Sequence, residues 1–421
     1  MTKFLHISDI HLGIRRYNCE ERTRDFFYAW FDCLQKYAIA EKVDFVLIGG
    51  DLFDRRQIDP QAANHAVSGL SLLKNSGIPV FAIEGNHDQR ETYSQFSWLR
   101  SLSQWGFLKL LEPVHEGSTI KYLPWNEKRC EGGYIDYKDV RIFGSRWYGT
   151  TTSEVLPRLC DAIRPQIREN GYNIMLLHTE VEGYCPAERS ILSVPQGKLL
   201  QLRDCGINYL ALGHIHKNFD IAQWAFNPGS LEATTADEYK QTRGAYLVEL
   251  HNQKIHAKLV SDYKKRSFLF KEFDLSKYPD PESASKTLTE FLTRECQQTI
   301  SEPIVDVRLY GRVHFRSSLL KLEQIKQQVC STTPVMNIIF HNEAVPAEYP
   351  VATELGPSAA RQDRERRVLE DLVAQDSRLR ANAEEIAALI LEIKRLVLAD
   401  EPSDKLIKLL EKQLNKLGNR A

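Results

Sequence analysis

The sequence predicts a layered α/β sandwich, helices over mixed sheets, followed by a small separate α/β unit and a C-terminal helix-loop-helix. Three observations carry that expectation. Short, near-continuous apolar runs recur through residues 1–265, each ending in a polar tip, and such runs suit strands covered on both faces. Helical periodicity falls between some of them. Beyond residue 361 apolar positions recur at three- and four-residue steps, the signature of amphipathic helices. At 421 residues the chain exceeds one ordinary core, and a prior of roughly 100–200 residues per domain points to two or three units.

Taken in order, the first strand is "FLHIS" at 4–8, entered directly from "MTKFLHISDIHLG", which lacks the basic, apolar and small-residue progression of a signal peptide. A helical pattern at 22–40 leads to the strand "FVLIGG" at 45–50, and a second at 61–75 ends at the glycine-proline stop of "NSGIPV". The strands "VFAIEG" at 80–85, "IMLLH" at 174–178 and "YLALG" at 209–213 follow. "VRIFGS" and "GAYLVEL" are not obviously followed by helices, so the sheet arrangement is expected to be mixed.

Residues 266–345 change to a β-α-β-α-β grammar: "SFLFKEFDL", a helix near 282–299, "IVDVRLYG", a helix near 317–329, and "VMNIIFH". The Pro- and Ala-rich stretch at 346–360 reads as a linker. From 361, Val368, Leu369, Leu372, Val373, Leu379, Ile386, Leu389, Ile390, Ile393 and Leu396 make one apolar stripe. "ADEPSD" breaks it, Ser403 is an N-cap candidate, and Leu406, Leu409, Leu410, Leu414 and Leu417 begin a second stripe.

Apolar residues are 43% and charged residues 26%, a soluble globular composition. A formal net charge of -1 excludes an overall basic field, so any nucleic-acid contact must come from local patches. The eight cysteines contain no C-x-x-C pair, which argues against a zinc or redox motif and for a reducing compartment. No stretch approaches the roughly 18 uncharged apolar residues of a membrane span. A cytoplasmic location, away from any membrane, is the expectation.

Five strand ends carry metal-ligand residue types. They are Asp9 and His11 in "SDIHLG", Asp51 in "GGDLFD", Asn86, His87 and Asp88 in "GNHD", His178 in "LLHTE", and His214 and His216 in "GHIH". Each lies at the carboxyl end of an apolar strand, where open α/β sheets place their ligand crevice. Imidazole, carboxylate and amide oxygen together suit manganese, iron or zinc. Seven ligands exceed one ordinary site and fit two ions that share a carboxylate, about 3.5–4 Å apart. Residues i and i+2 of a strand share a face at about 6.5–7 Å. His214 and His216 are therefore spaced to reach different ions, although Asp9 and His11 share that offset and are equally able to serve one. Gly49, Gly50, Gly85 and Gly213 are expected to serve tight turns or close backbone approach. The remaining histidines, His6, His65, His115, His251, His256, His314 and His341, are expected in the core, on the surface or behind the ligands.

The series D-x-H, G-D, G-N-H-D, H and G-H-x-H resembles the calcineurin-like metallophosphoesterase superfamily. "HISDIHLG", "GGDLFD", "GHIHK" and "NPGSLE", with the small α/β unit and helical tail, are similar to the SbcD-type DNA repair exonucleases. The resemblance implies a metallophosphoesterase sandwich over 1–265 with a capping domain over 266–345. It places Asp9, His11, Asp51 and His216 on one ion and Asp51, Asn86, His178 and His214 on a second, most often manganese. His87 becomes the acid that assists the leaving oxygen, with Asp88 either orienting it or satisfying the turn. Archaeal and eukaryotic relatives carry a second histidine where this chain has Asp54, so Asp54 is either a supporting residue or a solvated turn residue.

The implied activity is a two-metal DNA exonuclease and endonuclease, assembled as a homodimer. Residues 361–421 would dock on an SMC-like ATPase of the SbcC type, or pack back on their own globular body. Expected DNA contacts are Arg15, Arg16, Arg55, Arg56, Arg90 and Lys217, with Arg22, Arg24 and Arg146 as further basic residues near strand-end loops. Trp147 and Tyr148 are placed either to stack on an unpaired base or to pack in the core. Two alternatives stand beside this reading: a phosphodiesterase acting on a small nucleotide or nucleotide-lipid, and a binding or scaffold subunit with a residual site.

Overall fold

The computed structural model describes residues 1–421 except 18, 91–93, 95, 186–192, 347–360, 376–378, 399–405, 408 and 412–421. The described chain divides into two units, Met1–Arg266 and Ser267–Ala421.

In the first unit, one six-stranded sheet runs Lys254–Val260, Ala245–His251, Thr2–Ile7, Phe45–Ile48, Val80–Ala82 and Lys109–Leu110. The last four strands are parallel, and the Ala245–His251 and Lys254–Val260 hairpin adds antiparallel to Thr2–Ile7. A second six-stranded sheet runs Phe219–Ile221, Ala225–Asn227, Tyr209–Gly213, Tyr172–His178, Val140–Phe143 and Tyr134–Tyr137. Both sheets are mixed.

The apolar runs are continuous because each strand has two buried faces. Phe4, Phe45, Leu47 and Phe81 meet Ile174, Leu176, Tyr209 and Phe226 between the sheets. The alternate residues Leu5, Ile7, Val46 and Ile48 pack under Trp30, Leu34, Leu70 and Leu73 of the helices on one side. Met175, Leu177, Leu210 and Leu212 do the same under Leu156, Leu159, Leu199 and Leu202 on the other. His6, fully buried between the sheets, accepts at Nδ1 from the Tyr209 hydroxyl and donates from Nε2 to the Leu212 carbonyl, both at 3.0 Å. Burial lowers its pKa to about 3.

The first helix is Glu20–Cys33, widening to a π-helical stretch through Ile39. The second, Pro60–Asn75, starts on the Asp59 carboxylate, which accepts from Ala62 N at 2.8 Å, and has proline in its first turn. It stops at Gly77, whose φ of +71° favours glycine. One expectation is corrected: "VRIFGS" is followed by a helix, Thr152–Ile163. Pro157 lies inside it and breaks the backbone donor pattern, which in sequence reads as a stop.

In the second unit three parallel strands, Phe268–Asp274, Ile304–Tyr310 and Asn337–Asn342, lie in that order. Helices Pro281–Cys296 and Leu322–Thr332 bury Leu288, Leu292, Ile325 and Val329 against Val305 and Val307. The second of these begins at Leu322, because Ser317–Leu319 forms a single 3-10 turn instead.

The tail stripe is also corrected. It does not run along one helix but is split between Arg361–Gln375 and Ala383–Leu398, with a 3-10 turn at Arg380–Asn382. Asn382 closes this turn, a residue type whose side chain competes for helical backbone groups. Val373, Ala374, Ala387 and Leu396 are buried. The Ser403 cap, Leu414 and Leu417 lie outside the described residues. Among the described residues, no helix is long and apolar enough to cross a membrane.

Candidate metal centre

The strand-tip residues meet at one end of the sandwich. Main-chain bonds lay the first two tips side by side: Asp9 N donates to Gly50 O at 3.1 Å, Ile10 N to Asp51 O at 2.9 Å and Leu12 N to Leu52 O at 2.9 Å. The buried Asp88 carboxylate ties in the third, accepting from Leu52 N at 3.1 Å, Phe53 N at 3.0 Å and Gly85 N at 3.2 Å. His214 N donates to Asp9 Oδ2 at 3.0 Å, joining the second sheet to the first. Asp9, His11, Asp51 and His214 have φ of 53°, 51°, 52° and 98°. A left-handed conformation costs a non-glycine residue on the order of 1–3 kcal/mol, a strain that persists only where the surroundings over-determine it and that clusters at functional sites. At Gly85 a Cβ would come within 2.1 Å of Asp51 Oδ1, so only glycine permits this approach.

Three groups of donor atoms result, each within 4.8 Å: Asp9 with His11 and His216, Asp51 with His178 and His214, and, sharing His11 with the first, His11 with Asp54 and His87. His11 Nε2 and His216 Nε2 face each other at 3.0 Å. Asn86 Oδ1 lies 2.9 Å from His214 Nδ1 and 3.2 Å from His178 Nε2, and Asp51 Oδ2 is 3.2 Å from the same His178 nitrogen. Burial raises the Asp9 carboxyl above its ordinary pKa, against the pull of His178 and His216. A desolvated carboxylate among imidazoles, with no thiolate in any group, fits a cation of the manganese, iron or zinc type.

Nearly every imidazole here anchors its other nitrogen. His178 Nδ1 donates to the Gly49 carbonyl at 2.8 Å, and His87 Nδ1 to the Asp54 carbonyl at 2.5 Å. His216 Nδ1 donates to Glu238 Oε1 at 2.8 Å, and His214 Nε2 lies 3.3 Å from Glu180 Oε1. His11 Nδ1 is buried without a hydrogen-bond partner, with Asp54 Oδ1 3.6 Å away. Asp54 meets His87 through its backbone carbonyl and is half-buried. The Asp88 carboxylate is engaged by the backbone of Leu52, Phe53 and Gly85. Burial, reinforced by the Asp51 charge, pushes the Asp88 carboxyl up to about 8.

Glu180 and Glu238 are functional candidates that sequence reasoning missed. Glu180 follows His178 by two residues, which was the available signal; Glu238 sits in "TTADEYK", which offers none. Both line a cleft of about 680 Å³, together with Asp51, Asn86, His87, His214, His216 and Lys217. The Trp147 ring packs 4.8 Å from the His214 ring and 5.4 Å from that of His178, and the Tyr148 hydroxyl meets His115 Nε2 at 3.2 Å.

The basic residues divide. Arg22 is fully buried, 2.8 Å from Asp25 and 3.7 Å from Glu232, which removes it from any surface role. Arg15 pairs with Asp59 at 2.9 Å and Arg24 with Glu20 at 3.0 Å; Arg146 pairs with Glu112, and Arg55 lies 3.7 Å from Asp54. Arg56 bonds Gln89 at 3.2 Å. Arg16, Arg90 and Lys217 are exposed, and Lys217 alone of the three lines the cleft.

Comparison with known proteins gives a family. A model of calcineurin-like phosphoesterases matches residues 2–218. The DNA double-strand break repair protein Mre11 of Archaeoglobus fulgidus is 34% identical over 237 residues, 55% of this chain and 50% of that protein. Mre11 of Saccharolobus solfataricus is 30% identical over 257 residues, 59% of this chain and 60% of that protein. Mre11 of Sulfolobus acidocaldarius is 25% identical over 340 residues, covering 78% and 80%. The chain thus spans about half to three-fifths of the length of the first two relatives. The family match begins in the first strand and ends just past His216, so it takes in the whole strand-tip cluster and more than half of the chain: this chain belongs to the calcineurin-like phosphoesterase family.

Proposed function

We propose that this chain is a divalent-metal-dependent DNA phosphodiesterase, acting as exonuclease and endonuclease, with Asp9, His11, Asp51 and His216 holding one cation and Asp51, Asn86, His178 and His214 a second. The observation that carries this reading is the meeting of seven nitrogen and oxygen donors from five strand tips; four of the donors, Asp51, Asn86, His214 and His216, line one cleft. The relatives' name, DNA double-strand break repair protein, supports DNA as the substrate class.

Two bound cations, expected to be manganese, would supply positive charge to the phosphoryl oxygens and lower the pKa of a water from 15.7 towards about 7. The protein's own part is positional. His87 is fixed through Nδ1 on the Asp54 carbonyl, which leaves Nε2 as the nitrogen able to hand a proton to the leaving oxygen. Its backbone N–H donates to Asp51 Oδ1 at 2.9 Å, so acid and shared carboxylate move as one piece. Lys217, exposed at the cleft, draws in the phosphate backbone without reading sequence.

The tail supports a partner. Leu372, Ile390 and Val397 are exposed on its helices at 46%, 37% and 56%, and Leu379 in the turn between them at 40%, more apolar surface than a solvated hairpin needs. We assign it to docking on an SMC-like ATPase of the SbcC type, with the nuclease as a homodimer. The test is cleavage of linear duplex DNA, bis-p-nitrophenyl phosphate and mononucleotide esters in manganese, with and without that ATPase. Duplex cleavage is expected; hydrolysis of the nucleotide esters alone would transfer the site to small substrates.

A further inference from the structure

We propose that Glu238 is a positioning residue of the metal centre: its carboxylate fixes the proton of His216 on Nδ1 and thereby presents Nε2 to the cation held with Asp9 and His11. The inference rests on the cation-binding reading above. Glu238 Oε1 lies 2.8 Å from His216 Nδ1, and a carboxylate in this contact accepts, so the proton is on that nitrogen. The lone pair of His216 is then on Nε2, the atom that faces His11 Nε2 at 3.0 Å.

Glu238 is not free to turn away. Thr234 Oγ1 donates to Oε1 at 2.7 Å, Thr234 N to Oε2 at 2.8 Å, and Arg243 Nη1 approaches Oε2 at 3.4 Å. The short turn that carries it, Ala236–Glu238, is itself tied down where Ala236 N donates to the Tyr17 hydroxyl at 2.8 Å. The contrast with His178 and His87 gives the role its content, while His214 meets the Glu180 carboxylate only at the longer 3.3 Å. His178 and His87 lean on neutral carbonyls, whereas His216 leans on a negative charge, which makes its free nitrogen a stronger donor to a cation. Glu238 belongs to none of the three donor groups, so it acts through His216 and not as a ligand.

The experiment is calorimetric titration of the full chain with manganese alone. Wild type is expected to bind two ions, and Glu238→Ala to lose about 10–100-fold in affinity at one of them, the usual effect of removing such a partner, with the second site unchanged. Glu238→Gln, which keeps the shape and removes the charge, gives a smaller loss at the same site. Thr234→Val leaves Glu238 in place, guards against misfolding of the other variants, and moves the affinity in the same direction by less. Two ions bound by Glu238→Ala at wild-type affinity would overturn this role and leave the two-cation reading intact. One ion in wild type, weakened by Glu238→Ala, would keep the role and sink the two-cation reading. No ion in wild type would end both.

Discussion

His6 and His178 are both fully buried, one in each sheet, yet their surroundings solve opposite problems. His6 gives both ring nitrogens to neutral partners, Tyr209 and Leu212, and burial, against the Leu212 hydrogen bond, lowers its pKa to about 3. His178 is pulled down by the same burial, but the Asp51 carboxylate beside it prevails and raises its pKa to about 9. The first is a core residue that is complete as it stands. The second belongs to a set of carboxylates and imidazoles whose charge is held at the strand tips, where the proposed cation would complete it. The same residue type, one residue from a strand end or on it, thus has a different part according to what its second nitrogen meets.

The most severe way to break the comparison is Asp51→Ala. Removing the carboxylate that faces His178 is expected to release bound manganese and take phosphodiester hydrolysis to background, since the water would return towards its bulk pKa. Metal content after dialysis and turnover on duplex DNA report this directly. Next comes His87→Ala, which leaves all seven proposed ligands in place. It should keep both ions and lose roughly 10²- to 10⁴-fold in rate, the share of a positioned acid. Undiminished cleavage by that variant would remove His87 from the chemistry.

The core histidine gives a smaller and purely thermodynamic effect. Its folded pKa of about 3 lies below the ordinary 6.5, so the stability it contributes is fully present above 6.5 and is lost as pH falls towards 3. The slope is about 1.4 kcal/mol per pH unit at most. Urea unfolding between pH 6 and 5, where ordinary carboxylates stay ionised, should show wild type weakening with acid and His6→Gln weakening less. Equal slopes would mean that His6 already exchanges protons within the fold.

What was legible in the sequence follows from the same contrast. Five apolar strands ending in Asp, Asn and His break the rule that buried strand ends stay apolar, so both the sandwich and its tip were readable from residues such as Asp9, Asp51 and His214. Glu238 was hidden because its effect passes through His216, and its loop has neither strand nor helix period around it. The helix at Thr152–Ile163 was hidden by Pro157, and the division of the tail stripe by a break of only a few residues between two segments with the same apolar spacing. Arg22 was misread for a related reason. Its partners Asp25 and Glu232 lie three and 210 positions away, and charge composition near a loop says nothing of a pair made across that distance.

Arg22 and Lys217 sharpen the comparison at its finest grain, since both are basic residues near strand-tip loops with opposite fates. Arg22 is used up inside the first unit, while Lys217 follows His216 directly and reaches the cleft exposed. Lys217→Ala should therefore leave folding stability and metal content unchanged. If Lys217 meets a backbone phosphate, DNA binding weakens by a similar factor on every sequence, and the slope of log affinity against log salt falls by about one unit, as expected for one released counterion. Filter-binding titrations between low and moderate salt measure that slope, and a slope identical to wild type would place the phosphate path elsewhere on the cleft rim.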